Sequence, residues 1–198
     1  SFIFAGLVGM IDPPRPEVPE AILACRKAGI RVIMITGDHK LTAKAIGKKI
    51  GLDVESILTG EELASLSEQE LQIIARKTSI FARVSSLHKL KILRALQKDK
   101  QTVAMTGDGV NDAPAIKAAD IGIAVGSGTD LTKEVSDMII LDDNFATFEK
   151  AIAEGRTIYD NVKKFMKFLI SSNFGEVLII LTSILLGLPL PLLPIHLL

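Results

Sequence analysis

The chain has 198 residues, and 48% of them are hydrophobic, which is enough apolar content for the core of one sizeable domain plus an appendage. Lys and Arg together number 23, and Asp and Glu also number 23, so the net charge does not point to a nucleic-acid partner. The single cysteine, Cys25, excludes a framework of internal disulfides and fits a reducing compartment. The segment Ser1–Ala5 has neither an initiating methionine nor the basic residues of a secretory signal, so we expect an excerpt from a longer protein.

Short apolar runs alternate with helical patterns through the first 145 residues. The predicted strands are Phe2–Ile11, Ile30–Ile35, a segment near Ile57, Ile80–Ala82, Thr102–Met105, Ile121–Val125 and Met138–Leu141. The predicted helices are Val18–Ala28, Leu41–Ile50, Glu61–Arg76, Leu87–Gln97, Ala113–Ala118 and Leu131–Val135. Strands that alternate with helices of this length require crossover connections, which produce a mostly parallel sheet. The predicted fold class is therefore a Rossmann-like α/β domain.

A different pattern begins near Phe145. A long helix is predicted to start near Thr147, and residues 168–188 then form a strongly apolar run, of about the 20 residues that a helix needs to cross a bilayer. Just before this run come three lysines, Lys163, Lys164 and Lys167, where the cytoplasmic flank of a membrane helix carries positive charge. These lysines make the alternative, a buried core helix of a soluble protein, less favoured.

The chain is predicted to divide into four segments. They are a domain over residues 1–145, a stalk helix over 146–167, a transmembrane helix over 168–188, and a luminal or extracellular turn with the start of another transmembrane helix over 189–198. We therefore expect an integral membrane protein whose first domain lies in the cytoplasm.

Two polar residues interrupt the predicted transmembrane helix. Asn173 and Glu176 are three positions apart and so face the same side of a helix. A carboxylate inside a bilayer is costly, and such a residue usually faces a polar pathway or an ion. We therefore expect an ion site here, and the alternative is an incidental glutamate near the membrane interface.

The most informative stretch for chemistry is Thr106–Asp112, which follows the apolar run Thr102–Met105. It places the carboxylates of Asp108 and Asp112 beyond the end of a strand, together with bare glycine backbone. Open α/β sheets hold phosphate and Mg²⁺ at this edge. The alternative is a tight turn in which the glycines adopt unusual dihedrals and Asn111 and Asp112 cap the next helix.

Two further segments carry candidate residues. Thr36, Gly37 and Asp38 end another apolar strand, where Thr36 could donate its hydroxyl and a backbone N–H to a phosphoryl oxygen. Helix capping by Thr36 or Asp38 is the alternative interpretation. Lys89 lies at the start of a predicted helix, which is an unfavourable place for a cation unless it compensates a bound anion. His88 is interpreted as a surface or packing residue without a role.

These residues resemble known motifs. The last three motifs of the haloacid dehalogenase phosphotransferase fold are a hydroxyl, a lysine and paired acidic residues. This sequence has candidates in the same order: Thr36, then Lys89, then Asp108 with Asp112. The chain as a whole resembles part of a P-type cation-transporting ATPase and is most similar to the sarco/endoplasmic-reticulum-type calcium pumps. The segments that carry this resemblance are Asp12–Arg15, Met34–Asp38, Phe81–Val84, Thr106–Pro114, Gly122–Gly128, Asp142–Phe145 and Ile170–Glu176.

The resemblance implies an incomplete haloacid-dehalogenase-type phosphorylation domain over residues 1–145 and a role for each candidate residue. In the family, an aspartate takes the γ-phosphate of ATP as a covalent aspartyl-phosphate. The implied catalytic residues are Thr36, Gly37, Asp38, Lys89, Asn111 and Asp112, of which the first four would contact the phosphate of ATP. The implied metal ligands are Asp108 for Mg²⁺ and Asn173 and Glu176 for the transported Ca²⁺. Asp112 would support the Mg²⁺ site without binding the metal directly.

The sequence departs from the family in one respect that concerns activity. The phosphorylated aspartate of the family lies in an Asp-Lys-Thr-Gly-Thr motif that this sequence lacks, and Asp12 is a poor substitute because the prolines after it have no backbone donors. We therefore expect the isolated chain neither to hydrolyse ATP nor to transport ions. The implied partners are membrane lipid and the missing parts of the same pump: the phosphorylated-aspartate segment, the nucleotide-binding and actuator domains, and the other transmembrane helices.

Three other functions remain open from the sequence. The parent could be a Na⁺/K⁺ or H⁺ pump, because ion choice depends on helices outside this sequence, although the run Ser171–Glu176 favours calcium. A soluble phosphatase of the same fold is disfavoured by the missing nucleophile. The third is a truncated, non-catalytic membrane protein that regulates an intact pump.

Overall fold

A computed structural model of the chain describes residues 4–6, 8–9 and 13–189. Contacts divide the chain into two units, Ser1–Glu149 and Lys150–Leu198. The strands are β1 (Met34–Ile35), β2 (Ile57–Thr59), β3 (Ile80–Ala82), β4 (Ala104–Gly107), β5 (Ile121–Val125) and β6 (Met138–Ile140). The helices are α1 (Val18–Lys27), α2 (Lys40–Lys49), α3 (Gly60–Ala64), α4 (Glu68–Ala75), α5 (Ser86–Lys98), α6 (Ala113–Ala118), α7 (Asp130–Val135) and α8 (Phe145–Leu185).

The six strands form two parallel sheets of three. The first has the order β1-β3-β2, with Ile35 opposite Phe81, and the second has the order β4-β5-β6, with Met105 opposite Gly122. Every pairing is parallel, because a helix separates each strand from its neighbour in the sheet. The α/β architecture with parallel strands, predicted from the alternation of apolar runs and helices, is confirmed.

The core of the first unit forms on both faces of β3. Phe81 packs with Ile92 and Leu96 of α5, whereas Ile80, which points to the opposite face, packs with Ala43 of α2. All three residues of β3 are fully buried. A strand covered on both faces needs apolar residues at every position, which explains why this run shows no alternation.

The second sheet lies close to α6. Met105 of β4 packs with Ala115 and Ile116 of α6. A side chain at Gly122 in β5 would lie 2.6 Å from the Ile116 carbonyl oxygen, so the absence of a Cβ atom permits this close approach of helix and strand. Strand β4 is thereby held by its neighbour β5 and by the helix that follows it.

The predicted helix Glu61–Arg76 is two helices, α3 and α4, and the single-helix prediction is wrong. Each begins with a capping box, formed by Thr59 with Glu62 and by Ser67 with Glu70. The Ser67 hydroxyl and backbone amide both bond the Glu70 carboxylate, and they lower its pKa. The second box starts a new helix inside a sequence whose apolar periodicity continues across the break.

The predicted strand Phe2–Ile11 is not a strand in its described residues, 4–6 and 8–9. Phe4 and Val8 are exposed, and Gly6 has a φ of +147°, outside the range of extended strands. An apolar run becomes a strand only where another strand satisfies its backbone groups, and these residues have no such partner among the described residues. The predicted transmembrane start at Leu192–Leu198 lies outside the described residues.

Helix α8 is continuous from Phe145 to Leu185, so the predicted stalk and membrane segments belong to one helix. Its start is fixed by the Asn144 side chain, whose Oδ1 accepts a hydrogen bond from the Ala146 amide at 2.8 Å. By length and composition it is the one helix in the described part of the chain that could cross a membrane.

We expect the substitution Phe81→Ala to lower the free energy of unfolding by about 3–5 kcal/mol, because it leaves a cavity at a fully buried position of β3. The control is Ile73→Ala on α4, where the side chain is 63% exposed and the expected loss is below about 1 kcal/mol. Urea unfolding of the chain in detergent measures both. Equal losses would show that the core is not centred on β3.

Candidate phosphate and metal site

Strand β4 ends in a turn that presents Asp108 to solvent. The chain continues from Asp108 into one turn of 3-10 helix, Val110–Asp112, and then into α6. A Cβ atom at Gly107 would lie 2.6 Å from Cβ of Asp112, so only glycine lets the turn close this tightly. The Asp108 carbonyl oxygen accepts a hydrogen bond from the Thr129 amide at 2.9 Å, which fixes the backbone while the carboxylate stays exposed.

Lys89 and Asp112 form an ion pair between α5 and this turn. Their side chains are only 18% and 9% exposed, and the second carboxylate oxygen of Asp112 accepts from the Gly109 amide at 3.4 Å. The sequence placed a cation at the start of a helix, where it requires an anion nearby. The structure supplies that anion as Asp112, so two residues separated by 23 positions meet in one largely buried pair.

The Thr36–Asp38 loop is closed by its own side chains. The Thr36 hydroxyl donates to Oδ2 of Asp38 at 2.9 Å and accepts from the Asp38 amide at 3.1 Å. The Thr36 amide donates to the Phe81 carbonyl oxygen at 2.9 Å, as part of the β1–β3 ladder. This amide is therefore occupied in the ladder, and the hydroxyl is the group at Thr36 that could contact a phosphoryl oxygen.

A short connection after β3 ties this loop to α5. The Val84 amide donates to the Thr36 carbonyl oxygen at 3.2 Å, and the Arg83 amide donates to the Asp38 carbonyl oxygen at 2.9 Å. Arg83 adopts a φ of +53°, a left-handed conformation, in the bend between β3 and α5. Helix α5, which carries Lys89, begins immediately afterwards, so the loop and the lysine are positioned by the same connection.

The ends of β1 and β4 approach each other through packing. Ile35, directly before Thr36, packs against the cluster formed by Met105, Ala115 and Ile116. Met105 is close in sequence to Asp108, which follows β4. The strand that precedes Thr36 therefore packs beside the strand that precedes Asp108, and Lys89 pairs with Asp112 in the turn after that second strand. Asn111 lies in the same turn with an exposed side chain, whereas Asn173 and Glu176 lie on α8 in the second unit.

The donor atoms at this turn fit Mg²⁺ held jointly with a phosphate. The described residues contain no group of three or more His, Cys, Asp or Glu side chains that could enclose a metal ion by themselves. Mg²⁺ is usually bound by one or two carboxylates, with phosphate and water completing its six oxygens. The exposed carboxylate of Asp108 offers such a ligand, while Asp112 is committed to Lys89.

A second loop supports the turn and was not assigned a role from sequence. Oδ1 of Asp143 accepts from the Ser127 amide at 2.9 Å, and this hydrogen bond lowers the pKa of Asp143. Beside Ser127, a Cβ atom at Gly128 would lie 3.0 Å from the Val125 carbonyl oxygen and 3.3 Å from that of Asp108. The glycines on either side of Ser127 could have indicated this loop from sequence, because they mark a backbone packed closely against the turn that contains Asp108.

The haloacid dehalogenase-like hydrolase family matches residues 4–120, which is more than half of the chain. The chain therefore belongs to this family, as the order of the hydroxyl, lysine and acidic motifs predicts.

The similar proteins are cation pumps. A calcium-transporting ATPase of Bacillus subtilis is 56% identical over 98% of this chain and 22% of its own length. An endoplasmic reticulum-type calcium-transporting ATPase of Arabidopsis thaliana is 51% identical over 98% of this chain and 20% of its length. The crystal structure of a zinc-transporting PIB-type ATPase in an E2.Pi state matches with a TM-score of 0.67 and 29% identity, over 90% of this chain and 24% of that one.

These comparisons confirm the predicted resemblance to P-type cation-transporting ATPases, and to calcium pumps in particular. The chain spans about a fifth of the length of the curated relatives it matches.

We expect Lys89→Met to destabilise the fold by about 2–4 kcal/mol, because it leaves the buried Asp112 carboxylate without its cation. Adding Asp112→Asn removes the unpaired charge, so the double variant should lose about 1–3 kcal/mol less than the sum of the two single variants. Urea unfolding of the four proteins gives this coupling. Additive losses would mean that the two residues do not interact.

Proposed function

We propose that the chain is a segment of an ATP-driven P-type pump that transports Ca²⁺, and that it supplies the phosphate-stabilising side of the aspartyl-phosphate site. The observation that carries the proposal is the largely buried Lys89–Asp112 pair, next to the exposed Asp108 that follows β4. It occurs in a chain that is 51–56% identical to calcium-transporting ATPases. Phosphoryl transfer depends mainly on positioning and charge stabilisation, which are what such a cluster provides.

Each residue has a distinct task in this proposal. Lys89 contributes positive charge to the transferred phosphoryl group, and the Thr36 hydroxyl donates a hydrogen bond to it in place of its present bond to Asp38. Asp108 holds Mg²⁺, which when bound neutralises phosphate charge. Asp112 orients Lys89 through the ion pair, and the Gly109 amide orients Asp112 in turn.

The same proposal places the second unit in the membrane. Helix α8 is long and apolar enough to span a bilayer, and Asn173 and Glu176 would contribute two of the oxygens that bind the transported Ca²⁺. Because Ca²⁺ takes 6–8 oxygen ligands, the remaining ones would come from other helices of the pump. Lys163, Lys164 and Lys167 would mark the cytoplasmic end of the span, which puts the phosphorylation domain in the cytoplasm.

The proposal assigns the nucleophile to a different part of the same pump. The sequence contains no Asp-Lys-Thr-Gly-Thr motif, so the phosphorylated aspartate, the nucleotide-binding domain and the actuator domain would be supplied by the rest of the polypeptide.

We expect the isolated chain, reconstituted in vesicles, to show no ATP-dependent Ca²⁺ uptake and no ATP hydrolysis, because it lacks the acceptor aspartate. The full-length pump, reconstituted in parallel, is the positive control. Uptake or hydrolysis by the isolated chain would contradict the proposal.

In the full-length pump, Asp108→Asn should lower the rate of Mg²⁺-dependent phosphoenzyme formation by about a hundredfold or more, because an amide replaces the carboxylate that binds the metal. The rate is measured from radiolabelled ATP at several Mg²⁺ concentrations. The matched control is Asp130→Asn, an exposed acidic residue at the start of α7, which should leave the rate unchanged. Unchanged phosphorylation in Asp108→Asn would refute the metal role.

A further inference from the structure

An imidazole occupies a position in α5 that usually holds a carboxylate or an amide. Ser85 is the N-cap of α5, and its hydroxyl oxygen accepts from the His88 amide at 3.4 Å. In return, Nδ1 of His88 accepts from the Ser85 amide at 3.3 Å. This reciprocal arrangement is a capping box, in which the third helical residue is ordinarily Glu or Gln. His88 therefore accepts the hydrogen bond that a glutamate or glutamine would accept here.

The cap fixes the backbone that carries Lys89. The first hydrogen bond of α5 runs from the Lys89 amide to the Ser85 carbonyl oxygen at 3.1 Å. Lys89 is the next residue after His88, and its side chain reaches Asp112. A change in the geometry of Ser85 and His88 is therefore transmitted to the base of the lysine side chain.

The His88 ring is confined by α3 and by the connection after β3. A Cβ atom at Gly60, the first residue of α3, would lie 2.9 Å from Nδ1 of His88 and 2.3 Å from the Arg83 carbonyl oxygen. Gly60 is buried, so the ring and the Arg83 backbone occupy the space that its side chain would need. The ring also accepts a hydrogen bond from the amide of Ser85, the residue that directly follows Arg83 and Val84, whose amides hold the carbonyl oxygens of Asp38 and Thr36.

We propose that His88 is a positioning residue for phosphoryl transfer, which acts by holding Lys89 in register with the Thr36–Asp38 loop. It lies between the two halves of the candidate site: the Arg83–Val84 connection on one side and the Lys89–Asp112 pair on the other. Two features of His88 hold Lys89 in this position: the hydrogen bond that Nδ1 accepts and the packing of the ring against Gly60. The inference rests on the proposed function, because Lys89 must act on a phosphoryl group for its position to affect a rate.

A purely structural cap would behave differently from a positioning residue. Ser67 and Glu70 form an equivalent capping box on α4, which carries none of the candidate site residues. Loss of either cap should reduce stability, but only the cap of α5 should change the chemistry at Lys89.

The test uses the full-length pump and measures the rate of phosphoenzyme formation from labelled ATP. His88→Leu, which keeps a side chain over Gly60 but removes the acceptor, should lower the rate by about tenfold to a hundredfold. His88→Gln, which restores an acceptor at the same position of the capping box, should recover the rate to within about threefold of wild type. In a Lys89→Met background, His88→Leu should change the residual rate by less than about twofold, since its effect runs through the lysine.

Ser67→Ala is the matched control and should leave the rate unchanged, even though it removes a helix cap. If His88→Leu does not fold, Ser85→Ala replaces it, with a smaller decrease in the same direction. Any one of four results would overturn the assignment. They are a wild-type rate in His88→Leu, no recovery of the rate in His88→Gln, an additive effect of His88→Leu with Lys89→Met, and an equal loss of rate in Ser67→Ala. Absence of a phosphoenzyme in the wild-type pump would instead contradict the proposed function.

Discussion

The ion pair between Lys89 and Asp112 is the interaction on which the candidate site depends. Lys89 belongs to α5, which follows the first sheet, and Asp112 belongs to the turn that follows β4 of the second sheet. The pair therefore joins the helix that follows the first sheet to the turn that follows β4 of the second sheet. Because both side chains are largely shielded from water, each requires the other, and loss of one partner leaves a costly unpaired charge.

Apolar packing brings the segments that carry Thr36 and Asp108 close to each other. Ile35 connects β1 to the cluster around Met105, so the loop that begins at Thr36 and the turn that contains Asp108 rest on a shared apolar base. The glycine at position 107 allows the turn to close over Asp112, which a side chain there would prevent. Apolar contacts thus set the spacing of the site, while the charged groups provide its chemistry.

Three elements have the limits that the sequence predicts: β3, α6 and β5. Two other predictions were wrong, one because a run lacks a distant pairing partner and one because a local cap interrupts a continuous apolar periodicity. The Phe2–Ile11 run has the composition of a strand, but its described residues pair with no strand among the described residues. The Ser67 cap starts a new helix even though the apolar periodicity continues across it. The candidate residues could be chosen from motifs, whereas the pairing of Lys89 with Asp112 and the capping role of His88 required coordinates.

The most direct measurement is a structure of the full-length pump with Mg²⁺ and a phosphate analogue bound. Lys89 Nζ and Thr36 Oγ1 should both lie about 3 Å from oxygens of the same phosphoryl group, with a carboxylate oxygen of Asp108 about 2.1 Å from Mg²⁺. A phosphoryl group bound elsewhere, with Lys89 still paired only with Asp112 and more than about 6 Å away, would contradict the assignment of this cluster to phosphoryl transfer.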